Sequence, residues 1–256
     1  MYQISAPVIS NAEVMPRVYL LRVEAPEITA HAHPGQFVTV RCGEGPNPLL
    51  RRPFSIHRTD ESKLALLFEV VGPGTEWLSD RKPGDTLDLL GPLGNGFNLT
   101  PSARNLLLVA GGIGIAPLVF LAERAAANGY YVKIVTGAKT ASQVYSDVEG
   151  AELIQVTEDG SAGEKGMATD VGFPLVEWAD QVFACGPGPM YRTMAKNGMG
   201  DGKPVQVLLE EVMGCGVGAC RGCAIPTNQG MKMVCRDGPV FELRDVAWDR
   251  FLSPNL

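Results

Sequence analysis

The sequence predicts a chain of mixed class, β followed by α/β: an N-terminal antiparallel β-barrel, a parallel-sheet α/β domain and a small C-terminal segment. Three observations support this. Strand-like runs separated by Pro- and Gly-rich turns fill residues 1–101, apolar strands alternate with helices over residues 102–212, and four of the six cysteines lie within residues 213–256. A length of 256 residues with 45% apolar content is sufficient for two hydrophobic cores.

Composition excludes several classes of partner. The net charge of −6, without a block of like charges, gives no reason to expect nucleic acid or an anionic membrane surface. The N-terminus, MYQISAPVIS, lacks the regions of a signal peptide, and the uncharged run 106–122 is shorter than the roughly 20 residues that span a bilayer. We therefore expect a cytoplasmic protein. In that reducing compartment, clustered cysteines indicate metal binding or redox chemistry rather than disulfides.

The first 101 residues have the pattern of an all-β domain. Branched and aromatic residues recur in four short runs: RVYLLRV, GQFVTVRC, KLALLFEVV and DTLDLLG. Turn sequences such as HAHPG and KPGD separate them. Closely spaced strands with regular turns predict a small barrel.

The next hundred residues change pattern. The run NLLLVA (105–110) predicts a buried strand, and APLVFLAERAAANG (116–129) predicts a helix that ends at Gly129. Four further strand signals follow: YYVKIVTGA, AELIQVTED, QVFACG and VQVLLEE. Apolar strands alternating with helices predict a parallel sheet covered on both faces.

A glycine loop, VAGGIGIAPL (109–118), lies between the first of these strands and its helix. Gly112 and Gly114 would let the backbone approach a pyrophosphate, and Pro117 suits a first helical turn because its missing N–H is not needed there. A tight strand-to-helix turn without a ligand would produce the same pattern. The loop alone does not decide between the two.

The stretch LLRRPFSI (49–56) offers a second candidate site. Arg52 could bind a phosphate through its planar guanidinium, Ser55 could present a hydroxyl to a ring heteroatom, and Phe54 offers an aromatic face. A solvated strand edge is the simpler alternative. Together with the glycine loop of the following domain, the stretch becomes a specific indication of ligand binding.

The C-terminal cysteines have the spacing C-x4-C-x2-C-x11-C, formed by Cys215, Cys220, Cys223 and Cys235. The first three follow the plant-type spacing for a [2Fe–2S] cluster, whereas structural zinc sites more often use two C-x2-C pairs. Glycines between the cysteines suit a loop whose N–H groups turn toward the sulfurs. The spacing therefore favours a [2Fe–2S] cluster over zinc. Of the other two cysteines, Cys42 is expected to pack as a small apolar residue.

These stretches together resemble known families. RPFS (52–55) is similar to the flavin-binding Arg-x-Tyr/Phe-Ser signature of the ferredoxin–NADP reductase superfamily, GGIGIAPL to its nicotinamide loop, and CGPGPM (185–190) to its second nicotinamide-side motif. GPLGNGF (91–97) and EEVMGCGVGACRGCA…VCRDGPVF resemble the electron-transfer subunits of class 1B dihydroorotate dehydrogenase. The resemblance covers essentially the whole chain.

The resemblance implies three units: a flavin-binding barrel (1–101), an NAD-binding domain (102–212) and an iron–sulfur segment (213–256). The residues implied for FAD are Arg52, Pro53, Phe54, Ser55, Leu67, Phe68, Glu69, Gly74 and Thr75. Those implied for the nicotinamide nucleotide are Gly112, Gly114, Ile115, Ala116, Pro117, Glu158, Asp159, Cys185, Gly186 and Met190. The cluster ligands are Cys215, Cys220, Cys223 and Cys235.

Two of these residues, Ser55 and Cys185, are expected to be catalytic, because in the superfamily they approach the reacting rings. A buried core thiol is the alternative for Cys185. The sequence departs from the superfamily pattern at Phe54, where tyrosine is frequent, and at Glu69, where relatives often carry a basic residue. The first departure removes one hydrogen bond to the flavin, and the second weakens the assignment of that strand.

The strand ending in LIQVTEDGSAGEKG (153–166) corresponds to the region where NADP-using relatives surround the 2′-phosphate. Glu158 and Asp159 would repel a phosphate and accept hydrogen bonds from a ribose hydroxyl. Lys165 is the one residue there that favours a phosphate. We therefore expect NAD rather than NADP.

The implied function is electron transfer from the FMN of a partner dihydroorotate dehydrogenase, through the cluster and FAD, to NAD+. The partner would be the FMN-containing catalytic subunit, in a heterotetramer with two copies of each chain. Apolar residues near the cluster, Val212, Val217 and Ile225, would exclude water from the contact, or would be ordinary packing. Two alternatives stay open: an NAD(P)H-linked subunit of a hydrogenase or ferredoxin-dependent complex, and a zinc-stabilised nucleotide-binding sensor.

Overall fold

A computed structural model describes residues 1–43 and 49–251. Residues 44–48, within the predicted barrel, and residues 252–256, at the end of the predicted iron–sulfur segment, lie outside the described residues. The strands are β1 Tyr2–Met15, β2 Val18–Glu24, β3 Phe37–Val40, β4 Arg52–Ser55, β5 Arg58–Asp60, β6 Lys63–Glu69, β7 Thr86–Leu93, β8 Asn105–Gly111, β9 Tyr131–Ala138, β10 Glu152–Thr157, β11 Glu164–Lys165, β12 Gln181–Cys185, β13 Val205–Leu208, β14 Ala224–Thr227, β15 Gly230–Met233 and β16 Val240–Glu242. The helices are α1 Pro26–Thr29, α2 Pro73–Ser79, α3 Ile115–Ala127, α4 Ala168–Leu175, α5 Gly188–Lys196, α6 Val234–Asp237 and α7 Trp248–Phe251.

The N-terminal domain is an antiparallel seven-stranded sheet in the order β4-β3-β7-β1-β2-β6-β5. The sheet curls until β4 approaches β6, where the Phe54 and Phe68 rings pack edge to face with centroids 5.6 Å apart. Alternate residues of β7 point inward, with Leu87 and Leu89 fully buried. The predicted barrel is confirmed as a curled half-barrel.

Strand β1 is an element that the sequence patterns did not predict. Its 14 residues pair with β2 on one side and with β7 on the other. Only Ala6 and Val8 are buried along its length, and its remaining residues are partly or fully exposed. A strand with so few buried side chains has little hydrophobic alternation, which explains why the pattern fails to reveal it.

The second domain is a sheet in the order β11-β10-β9-β8-β12-β13-β16. Neighbouring strands from β11 to β13 are parallel, as predicted, and only β16 pairs antiparallel to β13. Leu106 to Ala110 of β8 are all fully buried, because helices cover both faces of the sheet. The carboxyl ends of β8, β9, β10 and β12 therefore form one edge, where the nucleotide motifs lie.

The cysteine-rich segment is tied to both domains. Strand β16 extends the parallel sheet, and Leu209 N donates to Pro239 O at 2.9 Å. On the other side, Asn95 of the first domain donates from its backbone N to Gly238 O at 2.6 Å. Between these anchors, β14 and β15 form an antiparallel hairpin. In the described part of the chain, no helix combines the length and apolar character needed to cross a membrane.

Candidate functional site

A cavity of about 510 Å³ opens beside strand β4. Its lining comes from the first domain and from the segment Leu208–Met213, which begins at the last residue of β13. The residues predicted for FAD that line this cavity are Arg52, Pro53, Phe54, Ser55, Leu67, Phe68, Glu69 and Thr75. Ala116 of the glycine-loop helix also lines it, so both domains contribute to this cavity.

Gly74 and Thr75, both predicted for FAD, shape the turn beside Arg52. Gly74 does not line the cavity, but a Cβ at Gly74 would lie 3.4 Å from Cγ and Nε of Arg52, so glycine leaves room for the arginine stem. The Thr75 hydroxyl donates to Gly72 O at 3.0 Å and accepts from the backbone N–H of Val71 and Gly72. This turn therefore holds the segment that faces Arg52.

A second cavity, of about 720 Å³, lies at the carboxyl edge of the parallel sheet. Of the residues predicted for the nicotinamide nucleotide, Gly112, Gly114, Glu158, Gly186 and Met190 line it. Gly112 has φ of +54° and no heavy atom within 4 Å of the position of a Cβ. The loop therefore presents open backbone to the cavity, as a pyrophosphate site requires.

Four of the residues predicted for the nicotinamide nucleotide lie in neither cavity lining. Ile115 and Pro117 are buried in the first turn of α3. The Asp159 carboxylate accepts from both N and Oγ of Ser161, at 2.9 and 2.6 Å, and these bonds lower its pKa. Of the two carboxylates predicted for the ribose, Glu158 is thus the one that lines the nucleotide cavity. Lys165 does not line this cavity either, whereas Lys139 does.

Cys185 is the fourth such residue. Its side chain is 1% exposed, and burial, with the nearby charge of Glu210, raises the pKa of its thiol well above the usual value. Its main chain forms part of the site, because a Cβ at Gly114 would overlap the Cys185 carbonyl group. The catalytic roles of Cys185 and Ser55 stay predictions.

Glu210 is a site residue that the sequence patterns missed. It lines both cavities, as do Glu69 and Ile113, and so it marks their junction. Glu210 is an exposed residue by its solvent-accessible surface, but protein atoms surround its carboxylate. The resulting loss of hydration raises the pKa of Glu210. Its only sequence signal was the position just past a strand of the parallel sheet.

The four C-terminal cysteines lie together as two pairs. The thiols of Cys215 and Cys220 contact each other, as do those of Cys223 and Cys235. Hairpin β14–β15 explains the second pair: Ala224 lies opposite Met233, so the residues flanking the hairpin meet, and Val234 N donates to Cys223 O at 3.0 Å. The spacing between Cys223 and Cys235 is therefore the length of this hairpin plus Val234.

Each of the four sulfurs accepts a backbone hydrogen bond. The donors are Val217 N and Cys220 N to Cys215 (both 3.4 Å), Gly222 N to Cys220 (3.4 Å), Cys235 N to Cys223 (3.4 Å) and Gly218 N to Cys235 (3.1 Å). Gly216 and Gly218 have φ of +73° and +82°, which glycine tolerates best. Such N–H···S bonds suit thiolates that ligate a cluster.

The donor set fits a binuclear cluster, because two cysteine pairs provide two ligands for each of two irons. Among residues 1–43 and 49–251, no group of three or more Cys, His, Asp or Glu side chains forms a site for one metal ion. Cys220 is exposed and Cys215 is half-buried, whereas Cys223 and Cys235 are 2% and 3% exposed. One edge of the four-cysteine site thus faces solvent.

Comparison with known proteins agrees with this arrangement. Residues 210–247 match the family described as the iron–sulfur cluster binding domain of dihydroorotate dehydrogenase B. Among curated relatives, the dihydroorotate dehydrogenase B (NAD(+)) electron transfer subunit of Desulforamulus reducens is 42% identical, over 95% of this chain and 98% of the relative. The subunit of the same name from Caldanaerobacter subterraneus is 39% identical, over 96% of this chain and 98% of the relative.

Solved structures give the same fold. A structure of an NADH-dependent reduced ferredoxin–NADP oxidoreductase superposes with a TM-score of 0.86 at 32% identity, over 96% of this chain and 91% of that one. A ferredoxin–NADP+ reductase from Neisseria gonorrhoeae, with bound FAD and NADP, has a TM-score of 0.63 at 17% identity, over 79% of this chain and 92% of that one. At full-length coverage and about 40% identity to its curated relatives, the chain belongs to the family of electron-transfer subunits of NAD+-dependent dihydroorotate dehydrogenase B, built on the ferredoxin-reductase fold.

Proposed function

We propose that the chain binds FAD in the cavity beside β4, NAD in the cavity at the sheet edge, and a [2Fe–2S] cluster at its four C-terminal cysteines. A nicotinamide exchanges two electrons as hydride and the cluster exchanges one, and a flavin can do both. The observation that carries the proposal is that one chain segment connects the flavin cavity to the cysteine site. Leu208–Met213 walls the flavin cavity and runs within two residues into Cys215.

Arg52 and Ser55 are the groups that would hold FAD. The Arg52 guanidinium already donates from Nη1 to Leu50 O at 2.9 Å, which leaves other N–H groups for a phosphate. Ser55, the last residue of β4, lines the same cavity. This arrangement supports a flavin ring seated against β4, with its phosphates toward Arg52.

Gly112 and Glu158 are the corresponding groups for NAD. The open backbone at Gly112 would lie against the pyrophosphate, and Glu158 would accept hydrogen bonds from the adenosine ribose. The relatives in Desulforamulus and Caldanaerobacter are named for NAD+. Lys139 lines the same cavity, and its positive charge would weaken the repulsion between Glu158 and the 2′-phosphate of NADP. The chain would therefore prefer NAD without excluding NADP.

The partner we propose is the FMN-containing catalytic subunit that oxidises dihydroorotate, in a heterotetramer with two copies of each chain. Val212 and Val217, 82% and 42% exposed, would contact it beside the exposed Cys220 edge. Ile225 is fully buried, so the expectation that it contacts the partner is wrong. We place the complex in the cytoplasm, because four ligand thiols need a reducing compartment.

The experiment is reconstitution. The purified chain should show flavin and [2Fe–2S] absorption and reduce artificial dyes with NADH, without turning over dihydroorotate. Adding the FMN-containing subunit should restore dihydroorotate oxidation by NAD+. A colourless zinc protein would contradict the redox function, and dihydroorotate turnover by the single chain would contradict the subunit function.

A second candidate function keeps the cofactors and changes the partner. The likeness to the NADH-dependent reduced ferredoxin–NADP oxidoreductase structure favours a ferredoxin-dependent complex as that alternative. The same preparation distinguishes the two. Electron transfer to ferredoxin in the presence of a flavoprotein partner, with no response to the dihydroorotate-oxidising subunit, would establish the alternative.

A further inference from the structure

A buried polar network joins the two domains beside the flavin cavity. His57 follows β4 by two residues and has no exposed surface. Its Nδ1 lies 2.8 Å from Ala116 O, in the first turn of α3, and its Nε2 lies 3.0 Å from the Tyr145 hydroxyl. Ser55, two residues before His57, and Ala116 line the flavin cavity from opposite domains. His57 thus connects the two walls directly.

The direction of these hydrogen bonds follows from their acceptors. A carbonyl oxygen only accepts, so Nδ1 of His57 carries the proton and Nε2 accepts from the Tyr145 hydroxyl. Burial lowers the pKa of His57 to about 4, which keeps the imidazole neutral near pH 7. The ring also packs edge to face on Tyr145, with centroids 5.4 Å apart. The tautomer and the ring orientation are therefore both fixed.

Arg58 bonds to the same two parts of the second domain, helix α3 and the segment that holds Tyr145. Its Nε and Nη2 donate to the Glu123 carboxylate of α3 at 2.9 and 2.6 Å. Its Nη1 donates to the Asp147 carboxylate at 2.8 Å and lies 3.3 Å from the Tyr145 hydroxyl. A planar guanidinium with bidentate geometry of this kind has no equivalent in lysine.

Helix α3 packs in the hydrophobic cores of both domains. Phe120 of α3 belongs to the core of the first domain, whereas Leu118 and Leu121 pack in the second. Leu67 of β6, which lines the flavin cavity, packs in that second core. A shift of α3 relative to β4 would thus move the glycine loop against the flavin wall. Apolar burial is non-directional, whereas hydrogen bonds of defined distance and angle add a directional constraint on this register.

We propose that His57, Arg58 and Tyr145 are positioning residues that hold the nicotinamide loop at a fixed distance from the flavin strand. This inference rests on the proposed binding of FAD and NAD, and none of the three residues lines either cavity. In the reaction affected, NADH transfers two electrons and one proton to oxidised flavin and leaves as NAD+. Misplacement by about 1 Å is sufficient to slow such a step strongly.

The test uses the holo chain with FAD and cluster bound. Tyr145→Phe removes one hydroxyl and keeps the ring, and Arg58→Lys keeps the charge and loses the bidentate geometry. Arg81→Lys is the matched control, since Arg81 pairs with Asp85 within the first domain. Stopped-flow flavin reduction by NADH gives the limiting rate constant and the apparent Kd separately. The long-wavelength charge-transfer absorbance reports flavin–nicotinamide stacking.

We expect both network variants to bind FAD and cluster fully, to bind NADH within threefold of wild type, and to lose about tenfold in limiting rate together with charge-transfer absorbance. Hydrogen exchange should rise at residues 112–120 and remain unchanged at residues 213–240. Arg81→Lys should behave as wild type. Limiting rates and charge-transfer bands within twofold of wild type, with only a lowered melting temperature, would overturn the proposal. A wild-type chain that NADH cannot reduce would instead contradict the proposed function.

Discussion

Gly114 is the position where a single added carbon atom has the most clearly defined effect. The residue lies at the start of α3 with φ of −60°, an ordinary conformation for alanine. A Cβ there would overlap the Cys185 carbonyl group and lie 2.8 Å from Gly186 N. Both obstacles are backbone at the end of a buried strand, so no side chain can rotate away. Gly114→Ala therefore forces α3 away from β12.

The size of the effect follows from two opposing terms. Overpacking a well-packed site costs roughly 1–3 kcal/mol, and replacing glycine at a compatible φ returns about 0.4–1 kcal/mol through the unfolded chain. A net loss of about 1–2 kcal/mol corresponds to a melting temperature about 2–4 °C lower for a chain of this size. Because Gly186 lines the nucleotide cavity, the KM for NADH should rise as well.

Thermal unfolding followed by circular dichroism and steady-state dye reduction measure these two effects. Gly200→Ala is the matched control: its Cβ would meet only Leu243 Cδ2, at 3.8 Å. We expect the control to melt within about 1 °C of wild type. If Gly114→Ala also melted within 1 °C of wild type with an unchanged KM, close backbone packing would not be the reason for glycine at this position.

Three further predictions follow from the site. Cys235→Ala should abolish the [2Fe–2S] visible and EPR signals while FAD remains bound. The control variant Cys42→Ala should retain both cofactors. An intact cluster in Cys235→Ala would show that Cys235 is not a ligand. Wild type should have a higher kcat/KM with NADH than with NADPH. Glu158→Gln should reduce the ratio of these two kcat/KM values roughly tenfold, which corresponds to about 1.4 kcal/mol in activation free energy. A higher kcat/KM for NADPH in wild type would refute the assignment of NAD. The pKa of His57 is lowered to about 4 by burial, so the unfolded chain binds its proton first as pH falls. The free energy of unfolding should therefore fall by up to about 3 kcal/mol between pH 6.5 and 4 in urea titrations, and His57→Asn should remove that slope relative to wild type.

The sequence was most informative where one local pattern determines one structure. The strand predicted at NLLLVA is β8, and the helix predicted from Ala116 is α3, which ends at Ala127, close to the expected Gly129. The cysteine spacing predicted one site for four thiols but not their arrangement as two pairs, in which one hairpin brings Cys235 beside Cys223. In each case the pattern that predicts the element lies within one short stretch of sequence.

The sequence was least informative where contacts join distant parts of the chain. Nothing local to Asp159 distinguished it from Glu158, and a turn with Ser161 directs it away from the cavity. The network of Arg58 with Glu123 joins residues 65 positions apart in different domains. Such pairs become visible only when the fold brings them together, and a single sequence gives no signal for them.

The continuity of the segment after β13 has a consequence for modularity. The same few residues complete the wall of the flavin cavity and lead into the cysteine loop, and β16 then returns as the edge strand of the nucleotide sheet. A separable iron–sulfur domain would contact the rest of the protein at one point and could be exchanged or deleted there. This segment contacts the rest of the protein at the flavin cavity through Pro239 and at the sheet through β16, so a truncation before Cys215 would remove Pro239 from the cavity lining and leave β13 as an uncovered sheet edge. Recombination that grafts a cluster onto a simpler reductase must therefore exchange the end of the nucleotide domain as well.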